Sequence, residues 1–257
     1  MEQLIILHDE EWLAKQRIAG KCVAAALEAA ESFIKDGYPT LIDIENICKE
    51  QFDKHNCQAA FLNFKGFPSS VCLSVNNQLV HGIPSNYKIK DNDVIKIDLG
   101  ANYNGAIADS AITILKNCDN KKYHELTNTC YNSLINAIKN IKIGDQIGKI
   151  GYCINHIVKS TNFGLITNYG GHGIENNKPH APPFIANKSQ KNSGIRIQEG
   201  ISLAIEPMLT LSQDTETKVS SDGWTVLTKS VSVHFEHTLN FNKNNVEIIT
   251  KRKNESF

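Results

Sequence analysis

The sequence predicts an α+β fold in which a helix–helix–strand unit occurs twice. Three observations carry it. Apolar residues recur every three or four positions over residues 10–35, β-rich runs follow a second helical segment, and the same order returns after residue 120. The 257 residues, 41% of them hydrophobic, are enough to bury a sizeable core.

In the first helix, Leu13, Ile18, Cys22, Val23, Ala26, Leu27, Ala30, Phe33 and Ile34 make one apolar face, and Gly37 is expected to stop it. Thr40, with Asp43 three residues on, predicts a capping box opening a second helix whose Leu41, Ile44, Ile47 and Cys48 point inward. Extended segments are expected at residues 70–75, 94–100 and 106–115. The second half predicts helices over residues 123–140 and 145–160, then strands near 201–206 and 231–241. No Pro- or Gly-rich linker separates the halves, about 10–115 and 120–245, so residues 1–257 read as one domain. The stretch 187–194, rich in Lys, Asn and Ser, reads as a surface loop.

Lysine plus arginine and aspartate plus glutamate both number 27, which removes the basic field that nucleic-acid binding needs. Lys251-Arg252-Lys253 reads as a solvated tail. Seven scattered cysteines without a C-x-x-C pair predict reduced thiols in a cytoplasmic protein. Residues 1–11 lack the basic and apolar pattern of a signal segment, and no apolar run is long enough to span a membrane.

The candidate chemistry begins at the runs 94–100 and 106–115, whose Asn104-Gly105 pair predicts a hairpin. With Tyr103-Asn104 or Asn104-Gly105 at the tip, Asp98 and Asp109 share one face, directly opposite or on the diagonal. Two such aspartates repel, so they need a cation or a raised pKa; an odd-length loop would leave two unrelated surface acids. Glu206 ends an apolar run just before Pro207. In residues 231–239 the alternation puts Val231, Val233, Phe235 and Leu239 on one face and Glu236 on the other, which alone reads as solvent-facing. His172 lies in Gly170-Gly171-His172-Gly173, where glycines permit close approach, and alone reads as a hydrogen-bonded turn histidine.

Taken in order, these segments resemble the type I methionine aminopeptidases of the pita-bread (creatinase/aminopeptidase) metallopeptidase family. The likeness runs through Arg17-Ile18-Ala19-Gly20, Gly66-Phe67-Pro68-Ser69-Ser70-Val71-Cys72, Val80-His81-Gly82-Ile83-Pro84, Ile97-Asp98, Ala108-Asp109, Gly171-His172-Gly173-Ile174, Ile205-Glu206-Pro207-Met208, Gly223-Trp224-Thr225-Val226 and Phe235-Glu236-His237-Thr238. It implies two divalent cations, cobalt, manganese or iron(II) with zinc as a fourth candidate, chelated by Asp98, bridged by Asp109 and Glu236, and completed by His172 and Glu206. It further implies that Glu206 shuttles a proton, that His81 contacts the scissile amide and that His180 stabilises an oxyanion. Phe61, Phe64, Phe67, Cys72 and Trp224 would hold a methionine side chain. The expected partner is the amino-terminal methionine of nascent polypeptides with a small second residue, met by a monomer in transient ribosome contact, without nucleic acid or membrane.

The stretch from His172 to His180 is one residue longer than the family pattern and lacks its following acid, which puts His180 in question. The stretch between Trp224 and Glu236 is slightly shorter than usual, which is expected to trim a hairpin tip. Two rivals stay open. One is a non-catalytic peptide-binding protein on the same fold, expected to have lost metal ligands; the other is an X-Pro aminopeptidase, expected to carry an additional amino-terminal domain.

Overall fold

Asp9 opens the first helix by accepting the backbone N–H of Trp12 on its side chain, and α1 runs from Glu10 to Asp36. The computed structural model describes residues 5–242 and 245–256; residues 1–4 of the segment read for a signal lie outside them. Gly37 ends α1 as expected, but in an extended conformation (φ −153°) and not the left-handed one that favours glycine. The Thr40–Asp43 capping box is present and opens α2 (Leu41–Lys54). Then come β1 (Gln58–Ala59), a 3-10 turn at Phe64–Gly66, β2 (Cys72–Val75), β3 (Val94–Tyr103) and β4 (Ala106–Leu115).

The second half opens with α3 (Lys121–Asn140) and α4 (Gly148–Val158). Its strands are β5 (Gly164–Leu165), β6 (Gly170–Glu175), β7 (Lys178–Ala186), β8 (Ser202–Ile205), β9 (Met208–Thr210), β10 (Thr217–Val219), β11 (Val226–Thr228), β12 (Ser232–His234), β13 (His237–Asn242) and β14 (Asn245–Ile248). Every pairing among the described residues is antiparallel. β3 carries β1 and β2 on one edge and β4 on the other, while β14-β13-β8-β6-β7 form the second large sheet. β12-β9-β5 and β10-β11 make two small sheets.

One hydrophobic cluster runs from Ala19 on α1 to Ile249 after β14 and takes in both halves. The halves are also stitched by polar side chains. Gln16, buried on α1, donates to Ile107 O of β4 and to Ser202 Oγ of β8.

Several expectations are corrected. The run 231–241 is two strands broken at Phe235-Glu236, because the chain passes there from one sheet to another. The His172 segment is strand β6, not a turn. Asn187, placed in a surface loop, is 1% exposed, and its amide Nδ2 donates to the carbonyls of Ile166, Tyr169 and Glu206. Arg252 is not a solvated tail residue either, since its guanidinium is buried against Glu255. Among the described residues no helix is long and apolar enough to cross a membrane.

Candidate metal centre

The β3–β4 hairpin turns on Asn104 and Gly105, whose φ values of 50° and 92° fit a two-residue type I′ loop. Asp98 therefore pairs with Ala111 and Asp109 with Gly100, which sets the two aspartates on the diagonal of one face. His172 is held on β6 opposite Ala204. A Cβ on Gly171 would sit 2.2 Å from Ala204 O, and one on Gly173 would sit 2.0 Å from Pro182 O, so the neighbouring strands close in only because both flanks are glycine.

Glu206 and Glu236 occupy matching positions. Ile205 of β8 pairs with His237 of β13, and Met208 of β9 pairs with His234 of β12, so the joints 206–207 and 235–236 run side by side. Both glutamates thus stand where strands leave one sheet for another, free of the pleat that would turn them outward. Glu236, expected to face solvent in isolation, is 2% exposed because the whole 232–238 stretch is buried on both faces.

The five side chains converge. His172 Nε2 lies 3.5 Å from Glu206 Oε1, 3.9 Å from Glu236 Oε1 and 4.0 Å from Asp109 Oδ2. Ligand atoms of Asp98, Asp109 and Glu236 lie within 4.8 Å of one another, as do those of His172, Glu206 and Glu236, so Glu236 is common to both groups. No lysine or arginine among the described residues pairs with these carboxylates. Burial raises all four pKa values, Asp98 and Glu206 to about 7 and Asp109 and Glu236 well above the carboxylate range, the last two further lifted by neighbouring carboxylates. Asp98 Oδ1, Asp109 Oδ1 and Glu236 Oε1 are buried without any hydrogen-bond partner. Unpartnered buried acceptors beside a neutral imidazole are what a divalent cation would satisfy, and an oxygen-rich donor set with one nitrogen and no thiolate suits a hard to borderline metal.

A cavity of about 220 Å³ opens over the cluster, walled also by His81, His180, Val80, Tyr169, Phe184 and Met208. A second hollow of about 150 Å³ adjoins it and is lined by Phe61, Phe64, Phe67, Cys72 and Trp224 with Lys65. His81, Asp98 and His180 border both. Phe67 and Trp224 meet edge to face, ring centroids 5.3 Å apart. His81 sits at φ 58°, a left-handed conformation uncommon for a residue with a side chain, and burial lowers its pKa to about 4.

The longer 172–180 stretch does not carry His180 away. It forms the β6–β7 turn, and the His180 ring on β7 lies 4.3 Å from that of His172 and 5.8 Å from that of Phe64. One side of His180 is open to solvent while the other packs on these rings, and that packing pushes its pKa well down. A ring nitrogen of His180 also groups with Asp109 and His172 in ligand-like geometry.

Sequence reasoning missed three kinds of residue. Tyr169 and Phe184 wall the cavity without any motif of their own, and Met208 does so too, although the Glu206 motif that it ends implies no role for it. His234, two residues before Glu236, lies 3.2 Å through Nε2 from Glu206 Oε2. Finally, hydroxyls bind β4 to the 234–238 stretch: Ser110 Oγ donates to Glu236 O, Thr113 Oγ1 to His234 O, and Thr238 Oγ1 to Asp109 O while accepting Asp109 N–H at 2.8 Å. Only the mixture of Ser and Thr at these positions hinted at such a seam.

Residues 14–242 match the profile of metallopeptidase family M24. The chain is 38% identical over 251 residues to a methionine aminopeptidase of Mycoplasma capricolum, covering 96% of this chain and 99% of that one. It is 35% identical over 258 residues to one from Aquifex aeolicus, covering 96% and 99%. The crystal structure of methionine aminopeptidase from Thermotoga maritima superposes with a TM-score of 0.92 at 35% identity, covering 97% of this chain and all of that chain. Prolidase from Pyrococcus furiosus, at 21% identity and TM-score 0.74, shares the fold over 96% of this chain and 66% of its own.

Proposed function

The chain belongs to metallopeptidase family M24, and from that premise we propose that it removes the amino-terminal methionine of nascent polypeptides whose second residue is small. The observation that carries this reading is the meeting of two features at one point: four buried carboxylates and a histidine lie directly beside an aromatic, thiol-lined hollow. The family uses divalent metal. We assign two cations to this site, with manganese, iron(II) or cobalt fitting the donors and zinc compatible; Asp98, Asp109, His172, Glu206 and Glu236 would hold them. When bound, such ions supply an activated water near neutral pH and polarise the scissile carbonyl.

The remaining work falls to side chains. The hollow of Phe61, Phe64, Phe67, Cys72 and Trp224 receives the methionine, whose polarizable thioether suits aromatic walls. Glu206 carries a proton to the leaving amine, and His81 and His180 orient the scissile amide and its developing oxyanion as neutral donors. Val80, Tyr169, Phe184 and Met208 stand where the chain beyond the first peptide bond would lie. We take residues 1–257 as a single catalytic domain acting as a monomer in the cytoplasm, in transient contact with the ribosome; the scattered unpaired thiols accord with a reducing compartment.

Purified protein with Mn(II), Co(II) or, under anaerobic conditions, Fe(II) is expected to release methionine from Met-Ala-Ser but not from Met-Lys-Ser, and to leave Ala-Pro-Ala intact. Cleavage of Ala-Pro-Ala alone would instead establish the X-Pro activity, and no turnover with any metal would leave a peptide-binding protein.

A further inference from the structure

A carboxylate that both holds a cation and carries a proton must not swivel. The two oxygens of Glu206 face two different imidazoles, Oε1 at 3.5 Å from His172 Nε2 and Oε2 at 3.2 Å from His234 Nε2. His234 is 1% exposed, and neither of its ring nitrogens is hydrogen-bonded in the static geometry. The contact to Glu206 has the length of a hydrogen bond but not its angle. The 3.2 Å separation is within hydrogen-bond reach, and the terminal torsion of histidine is broad enough to let the ring adjust. An imidazole left wholly unpartnered in a buried site is disfavoured.

The backbone presents this ring with little freedom. β12 pairs with β9 so that His234 stands opposite Met208, beside the Glu206-Pro207 joint. The Thr113 hydroxyl donates to His234 O at 2.7 Å and accepts His234 N–H at 3.0 Å, fixing the residue from the β4 side.

We propose that His234 is a positioning residue for Glu206, donating Nε2–H to Oε2 so that Oε1 stays turned toward the His172 side of the cluster. This rests on the role given to Glu206 above. His172 would then hold its own nitrogen toward the cluster, and the two imidazoles engage the two different oxygens of one carboxylate.

The test compares wild type with His234→Leu and His234→Gln on Met-Ala-Ser with Mn(II), alongside a proton–nitrogen NMR spectrum of the metal-free protein. Leucine should lower kcat by about 10–100-fold, with KM and metal content held, because a misaimed group loses rate and not binding. Glutamine, whose amide can donate to the same oxygen, should recover most of that loss. In metal-free wild type the Nε2–H of His234 should be protected from solvent exchange, and Glu206→Ala should abolish that protection. Wild-type kcat in the leucine variant, equal damage from glutamine and leucine, or a protected N–H indifferent to Glu206→Ala would each overturn the assignment. Should wild type itself fail to cleave Met-Ala-Ser, the proposed activity falls, while the NMR comparison still decides the contact.

Discussion

At the scale of single residues, the four site carboxylates are costly to the fold that contains them. Burial holds their pKa values up, so without a cation the folded protein binds protons there more tightly than the unfolded chain does. A raised carboxylate contributes stability below its unfolded pKa and loses it as pH climbs through the folded one. The buried histidines work in the opposite direction below about pH 6.5, where the unfolded chain would take up their protons. Above that pH the histidines no longer oppose the four raised carboxylates, and the buried Lys96, whose pKa burial lowers, is one group working against four. The melting temperature of protein kept in EDTA should therefore fall between pH 6.5 and 8, and saturating Mn(II) should flatten or reverse the fall. A melting temperature that rises with pH in EDTA would show that these groups are ionised without cost in the metal-free fold.

At the scale of elements, the β3–β4 hairpin was legible because its determinants are local. Asn104-Gly105 supplies the two positive φ values that a type I′ turn demands, and the even loop puts Asp98 and Asp109 on one face. β7 was not legible. Pro179, Pro182 and Pro183 argue against a strand, yet β7 lies at the edge of its sheet, where missing N–H groups are tolerated, and its residues alternate exposed and buried. Its turn with β6 also docks on the first hairpin, since Asn177 N–H donates to Gly105 O at 2.9 Å and Asn102 Nδ2 to Asn177 Oδ1 at 3.0 Å. Gly105→Ala is expected to cost about 1–2 kcal/mol, from a side chain in the left-handed region. The new Cβ would also lie 2.1 Å from Asn176 Oδ1, which must shift. Urea unfolding would measure the loss, and a change within about 0.3 kcal/mol would mean that the two tips are already loose in solution.

At the scale of the molecule, the repeated helix–helix–strand order was visible as periodicity, but how the two halves meet was not, because contacts between distant segments leave no period. His172, Glu206 and Glu236 each looked ordinary in its own segment, and only their ordered motifs made the set recognisable. The structure adds the reason that they converge: the halves are joined at Asp109 and Glu236, where β4 and β13 belong to different sheets and no ladder connects them. Thr238 replaces the missing ladder at Asp109, serving both its N–H and its carbonyl with one buried hydroxyl. Thr238→Val keeps the shape and strips both partners, so stability should drop by about 1–3 kcal/mol. The same change should weaken the metal site by about 10–100-fold, because Asp109 would lose the anchor that aims it. Unfolding of the metal-free protein reports the first effect and calorimetric Mn(II) titration the second. A stability loss without any change in affinity would make the seam a fastening of the fold only; loss of both would mean that the joint between the halves is also what sets the spacing of the cation ligands.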